Sequence, residues 1–105
     1  MISVNIEPNQ ISNIRDVVKG YFQTKPVNKV YLFGSYARKE AGKNSDIDLL
    51  LDLIYEPGIA FIFGMMKQEL ELLLHKKVDL ITTNSISKYI AENIEKEKIL
   101  IYEKI

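Results

Sequence analysis

Two short stretches hold the residues best suited to chemistry. One is Gly34-Ser35-Tyr36-Ala37-Arg38; the other is Ser45-Asp46-Ile47-Asp48-Leu49. Asp46 and Asp48 stand two residues apart in a segment that alternates apolar and polar side chains, so on a strand both carboxylates leave the same face. Two carboxylates that close repel each other unless they share a cation. Oxygen donors of this kind suit Mg²⁺, which takes one or two carboxylates together with substrate phosphates. A pair of such ions about 3.5–4 Å apart can stabilise the attacking and leaving oxygens of an in-line displacement. Gly34-Ser35 follows an apolar strand and opens a short helix. Free N–H groups at a helix start suit a phosphate, and glycine lets the backbone approach it. The Ser35 hydroxyl and the Arg38 guanidinium, one turn on, are within reach of the same anion. Asp79, in Lys77-Val78-Asp79-Leu80-Ile81, supplies a third acid on another strand. If that strand pairs beside the first, the carboxylates converge.

Each of these has a plain alternative. Asp-x-Asp also describes the wet face of any half-buried strand, Gly-Ser an ordinary turn with Ser35 as cap, and Arg38 or Asp79 a solvated charge. The sites gain weight from their combination. His75, the chain's one histidine, lies beside Lys76 and Lys77 at a helix end and reads as a capping or solvated residue. Asp52 shares the Asp46–Asp48 face but lies further from the turn. Glu92, Glu95, Lys96, Glu97 and Lys98 read as a solvated face of mixed charge.

The elements that would position these residues follow from periodicity. Ile11, Ile14, Val17, Val18, Tyr21 and Phe22 have helical spacing, with Pro8 in the first turn and Lys25-Pro26 after the end. Lys29–Phe33 and 46–53 read as strands. A short helix is expected over Tyr36–Glu40 and a long one over Ile59–Leu74. Val78–Ile81 and Ile99–Tyr102 complete the strands. Ser85 would cap a last helix carrying Ile86, Tyr89, Ile90 and Ile94. The alternation predicts an α/β (α+β) fold, with helices packed on a small sheet. The strands are too few for a barrel and too irregular for a doubly wound nucleotide-binding fold. The run Ile59–Met66 is more apolar than a one-sided helix needs; it reads mainly as core, with an exposed partner-binding patch as the alternative.

Composition sets the bounds. The chain has 105 residues, of which 47% are hydrophobic and 27% charged, as in ordinary globular domains. One domain over 1–105 is expected. Fourteen basic residues balance fourteen acidic ones, which argues against a nucleic-acid binder held by a basic field. No aromatic platform with interleaved basic residues is visible. The absence of cysteine removes thiolate metal sites and thiol nucleophiles. Met1–Glu7 lacks a signal-peptide pattern, and no apolar run approaches the ~20 residues of a membrane span; a cytoplasmic protein is expected.

The combination Gly34-Ser35-x-Ala37-Arg38, Ser45-Asp46-x-Asp48-Leu49 and Val78-Asp79-Leu80 resembles the minimal nucleotidyltransferases (MNT) of the DNA polymerase β superfamily, the antitoxin-type partners of HEPN proteins. The resemblance implies a small mixed β-sheet with helices packed on it. It implies that Gly34 and Ser35 hold the nucleotide's phosphates, with Arg38 beside them, and that Asp46, Asp48 and Asp79 bind two Mg²⁺ ions. Asp79 would be a metal ligand or the base for the attacking hydroxyl. The implied reaction moves AMP from ATP to a hydroxyl, a tyrosine on a partner HEPN toxin. The family usually has glycine after the arginine of its first motif, where this chain has Lys39. Two other readings stand beside this one: a non-catalytic module that occludes its partner, and a catalytic subunit acting on a small molecule or RNA with a separate recognition subunit. The sequence leaves open a homo- or hetero-oligomer.

Overall fold

A computed structural model describes residues 11–105; the expected place of Pro8 and the reading of Met1–Glu7 lie outside these residues. The elements run α1 (Ile11–Phe22), β1 (Val27–Phe33), α2 (Gly34–Ala37), β2 (Ile47–Leu53), α3 (Ile59–Leu74), β3 (Val78–Thr82), a 3-10 turn (Thr83–Ser85), α4 (Lys88–Glu97) and β4 (Ile99–Glu103). The strands form one mixed sheet in the order β3-β2-β1-β4. β1 pairs antiparallel with β2 and with β4, and β2 pairs parallel with β3.

Alternation on β2 decides which layer covers which face. Ile47, Leu49, Leu51 and Leu53 are buried with Ile14, Val18 and Phe22 of α1 and Met66, Leu70 and Leu74 of α3 in the main core. The acid-bearing face carries a smaller cluster: Phe33 and Leu50 pack with Ile94 of α4. Asp48 and Asp52, flanking Leu50, stay half-buried. The side chain of Tyr21 closes the rim between α1 and α3, its hydroxyl donating to Glu69 Oε1 at 2.6 Å.

The parallel step from β2 to β3 needs a crossover, which α3 supplies. His75 ends α3 in the left-handed region, φ 55°, its N–H donating to Glu71 O, in line with the capping role expected of it. Glu71 Oε2 then accepts the Val78 N–H at 2.9 Å, and Lys67 Nζ donates to Val78 O at 2.7 Å. The start of β3, one residue before Asp79, is thus fastened to α3 on both sides.

Three local expectations need correction. The short helix is Gly34–Ala37, starting two residues before Tyr36, because the turn begins directly on the left-handed Gly34. Ser85 does not cap α4; its hydroxyl donates back to Thr82 O within the 3-10 turn, and Ser87 holds the N-cap position. Tyr89 is 93% exposed rather than part of an apolar face, since α4 leans on the sheet mainly through Ile94.

Lys39 sits at φ 61°, so the position asks for the left-handed conformation that glycine adopts without cost. A side chain there costs about 1–2 kcal/mol, partly offset by glycine's greater freedom when unfolded. Lys39→Gly should therefore raise stability by about 0.5–1 kcal/mol, read as a higher midpoint in urea unfolding.

Candidate active site

The first motif is built by the end of β1. Phe33 is extended, and Gly34 turns the chain at φ 75° into α2. A Cβ built on Gly34 would lie 3.0 Å from Asp48 Cγ and closer still to Oδ2. Backbone and carboxylate can touch here only because residue 34 lacks a side chain. The loop before β2 is held by its own polar contacts: the Gly42 N–H donates to Ser45 Oγ at 2.8 Å, and Lys76 Nζ donates to Lys43 O at 2.7 Å. These set Asp46 immediately before β2. The β2–β3 register places Asp79 directly opposite Asp48, the convergence that alternation alone left conditional.

Asp46, Asp48 and Asp79 line one open cleft with Gly34, Ser35 and Arg38, of about 840 Å³. All six residues proposed from sequence thus meet in one place. Asp52 does not line this cleft; it stands opposite Lys29 in the β1–β2 register. Burial, then the neighbouring Asp79 and Asp46, push the Asp48 carboxyl up from 3.8 to about 6, against a smaller opposing pull from Arg38. Uncompensated negative charge is concentrated at this point. Among the described residues, no group of three or more acids or histidines is drawn close enough to enclose an ion.

One residue of the site escaped the sequence reading. Glu97, whose neighbours have the composition of a solvated face, turns inward from the end of α4. Its Oε1 accepts the Gly34 N–H at 3.1 Å, and its Oε2 accepts from Arg38 Nη1 at 2.9 Å. Arg38 also donates through Nε to Glu40 at 3.0 Å. The arginine does reach an anion together with the Gly34 backbone, but that anion is a carboxylate of the chain itself. Nothing local in Glu95-Lys96-Glu97-Lys98 distinguishes Glu97; the contact spans 63 positions.

Glu97→Gln would keep an oxygen acceptor for the Gly34 N–H while removing a negative charge beside the cleft. ATP binding should tighten by about fivefold, the scale of one partly exposed charge, measured by isothermal titration at fixed Mg²⁺. Weaker binding would show that Glu97 instead holds Arg38 in place for the phosphates.

Residues 16–105 match the family model described as polymerase beta, nucleotidyltransferase. The chain belongs to that family. Among relatives of this nucleotidyltransferase, a candidate protein adenylyltransferase of Methanocaldococcus jannaschii is 45% identical over 76 residues, covering 71% of this chain and 76% of the relative. The protein adenylyltransferase MntA of Thermococcus cleftensis is 35% identical over 75 residues, covering 71% and 75%. The solved structure of a candidate minimal nucleotidyltransferase superposes with a TM-score of 0.75 at 27% identity, over 92% of this chain and 98% of that one. The same fold recurs, at 21% identity and a TM-score of 0.60, in a Shewanella oneidensis complex of a tri-AMPylated HEPN toxin with an MNT antitoxin; that match covers 91% of this chain and 73% of that one. Like these folds, the nucleotidyltransferase is a small mixed sheet carrying helices. No helix among its described residues is long and apolar enough to cross a membrane.

Proposed function

We propose that this nucleotidyltransferase, as one domain over 1–105 in the cytoplasm, transfers AMP from ATP to a tyrosine hydroxyl of a partner HEPN protein and so acts as its antitoxin. The observation that carries this reading is the register of Asp48 against Asp79 beside Asp46 and the Gly34–Ser35 turn, all in one cleft. The M. jannaschii and T. cleftensis relatives, named as protein adenylyltransferases, support protein adenylylation, and the S. oneidensis complex supports a HEPN partner.

In this reading, the triphosphate takes the place of the Glu97 carboxylate on the Gly34 N–H and Arg38 Nη1, with the Ser35 hydroxyl beside them. Asp46, Asp48 and Asp79 would hold two Mg²⁺ ions. The chemistry of the donor set fits them: the three acids offer oxygen ligands, line one cleft and crowd Asp48 enough to raise its carboxyl. When bound, the ions would neutralise charge on the attacking and leaving oxygens. Asp79, across from Asp48, accepts the proton of the attacking hydroxyl. The new bond joins the phenolic oxygen to the α-phosphorus as the bond to the bridging oxygen breaks, and pyrophosphate departs with the electron pair.

The test uses the purified chain, Mg²⁺, ATP labelled at the α-phosphate, and the HEPN protein encoded beside it. Label should appear on the partner and disappear when the acceptor tyrosine is changed to phenylalanine. A partner neutralised equally well without ATP would establish occlusion instead.

A further inference from the structure

A second cavity lies behind the carboxylates. Phe63, Gly64 and Lys67 of α3 and Leu80 and Ile81 of β3 line a notch of about 430 Å³. β3 is an edge strand, so the notch opens to the side of the sheet. Asp48 and Asp79 line both this notch and the larger cleft. The two spaces therefore meet across the two acids, as donor and acceptor sites must in an in-line displacement.

We propose that this notch is the acceptor slot: it takes the flat side chain of a tyrosine and presents the phenolic oxygen to the α-phosphorus across Asp48 and Asp79. The assignment rests on the AMP-transfer reading and deepens it. Three features of the lining select a phenol. The walls are aliphatic and aromatic, and the acids lie at the shared boundary, matching a ligand with an apolar body and a polar tip. The lining's cation, Lys67, is already committed to Val78 O and Glu71, which leaves it poorly placed for a nucleic-acid phosphate. Gly64 lies inside a 16-residue helix, where glycine costs roughly 1 kcal/mol relative to alanine. A Cβ there meets nothing within 4 Å; the helix forgoes a side chain where the notch needs room.

Gly64 supplies the test, because a larger side chain can fill the notch without a clash in the fold. The probe is N-acetyl-L-tyrosinamide, titrated into the ¹⁵N-labelled full chain with Mg²⁺ and a non-hydrolysable ATP analogue; N-acetyl-L-phenylalaninamide and a short oligoribonucleotide serve as comparisons. The tyrosine probe should shift the Gly64 and Leu80 amides and bind more tightly than either comparison. Gly64→Leu should weaken it by about tenfold or more, the cost of overfilling a packed site, with Gly64→Ala in between. Both variants should melt at or above the wild-type temperature and keep the analogue's shift at the Gly34 amide. Tyrosinamide shifts elsewhere, equal binding to Gly64→Leu, or preference for the oligoribonucleotide would overturn the slot. An analogue that leaves Gly34 unmoved would instead strike the AMP-transfer reading and remove the basis of the slot with it.

Discussion

Asp48→Asn should abolish AMP transfer and, in the same molecule, stabilise the fold. The catalytic half follows from position. Asp48 faces Asp79 across the β2–β3 register and touches the Gly34 turn, so no other acid can take its place. An amide there brings no negative charge to a cation shared with Asp46 and Asp79 and binds it far more weakly. The loss should reach about a thousandfold or more, at or above the upper scale of removing one preorganised electrostatic contact. The stability half follows from the raised carboxyl. An Asp that titrates at about 6 when folded, against 3.8 ordinarily, holds a proton in the folded chain across that window which the unfolded chain has released. Its contribution to stability is therefore present below pH ~4 and lost as the pH rises through ~6. At neutral pH the folded chain carries an ionised group it would rather protonate. The full shift, at about 1.4 kcal/mol per pH unit, sets a ceiling near 3 kcal/mol; partial exposure to solvent brings the expected gain to about 1–2 kcal/mol. The Asn amide can also donate to Asp79. Urea unfolding with EDTA at pH 7.5 and at pH 4 reads the effect: the gain should be present at the higher pH and shrink at the lower. A variant that is inactive and also less stable at pH 7.5 would show that Asp48 serves the fold rather than the chemistry.

The pairing of lost activity with gained stability marks what the sequence made legible and what it did not. Asp46, Asp48 and the Gly34–Ser35 turn were readable because a period of two and a strand-to-helix glycine are local rules. Asp79 was readable only conditionally, since the alternation shows which way it points and not which strand it lies beside. The crossover through α3, fastened by Lys67 and Glu71 to Val78, settles that. Glu97 could not be read at all. Its neighbours have the composition of a solvated helix face, and only the closing of α4 over the acid-bearing side of the sheet turns it toward Gly34 and Arg38. The same limit applies to α3. Its excess of apolar residues signalled either core or contact surface, and the fold divides them: Met66 and Leu70 are buried while Phe61 is exposed. Lys39 shows the converse, a departure visible in the sequence whose meaning, a left-handed residue without glycine's freedom, required the backbone.

Gly34→Ala should be the most damaging single methyl group in the protein. At φ 75° an L-residue is strained by about 1–2 kcal/mol, and the added Cβ would also collide with the Asp48 carboxylate. Rotating the carboxylate relieves this only in part, because Asp48 Cβ, fixed on β2 between β1 and β3, lies 3.3 Å from the same point. The turn itself must shift, taking with it the Gly34 N–H that now donates to Glu97. Together the strain and the collision should lower stability by about 2–4 kcal/mol and transfer activity by at least about a hundredfold, the scale of a misplacement near 1 Å. Gly20→Ala is the matched control. It adds the same methyl group to a glycine in α1 where a Cβ meets nothing within 4 Å, and helix propensity predicts a small gain in stability. Urea unfolding separates the two variants, and labelled AMP transfer at a temperature where both remain folded isolates the effect on the site. Full activity in folded Gly34→Ala would mean that the phosphates do not approach this backbone. Lost activity that returns with Asp48→Ala in the same chain would mean that the collision alone was at fault. Failure of that double variant to recover is the expected result, because the carboxylate and the bare backbone are both needed at the point where they meet.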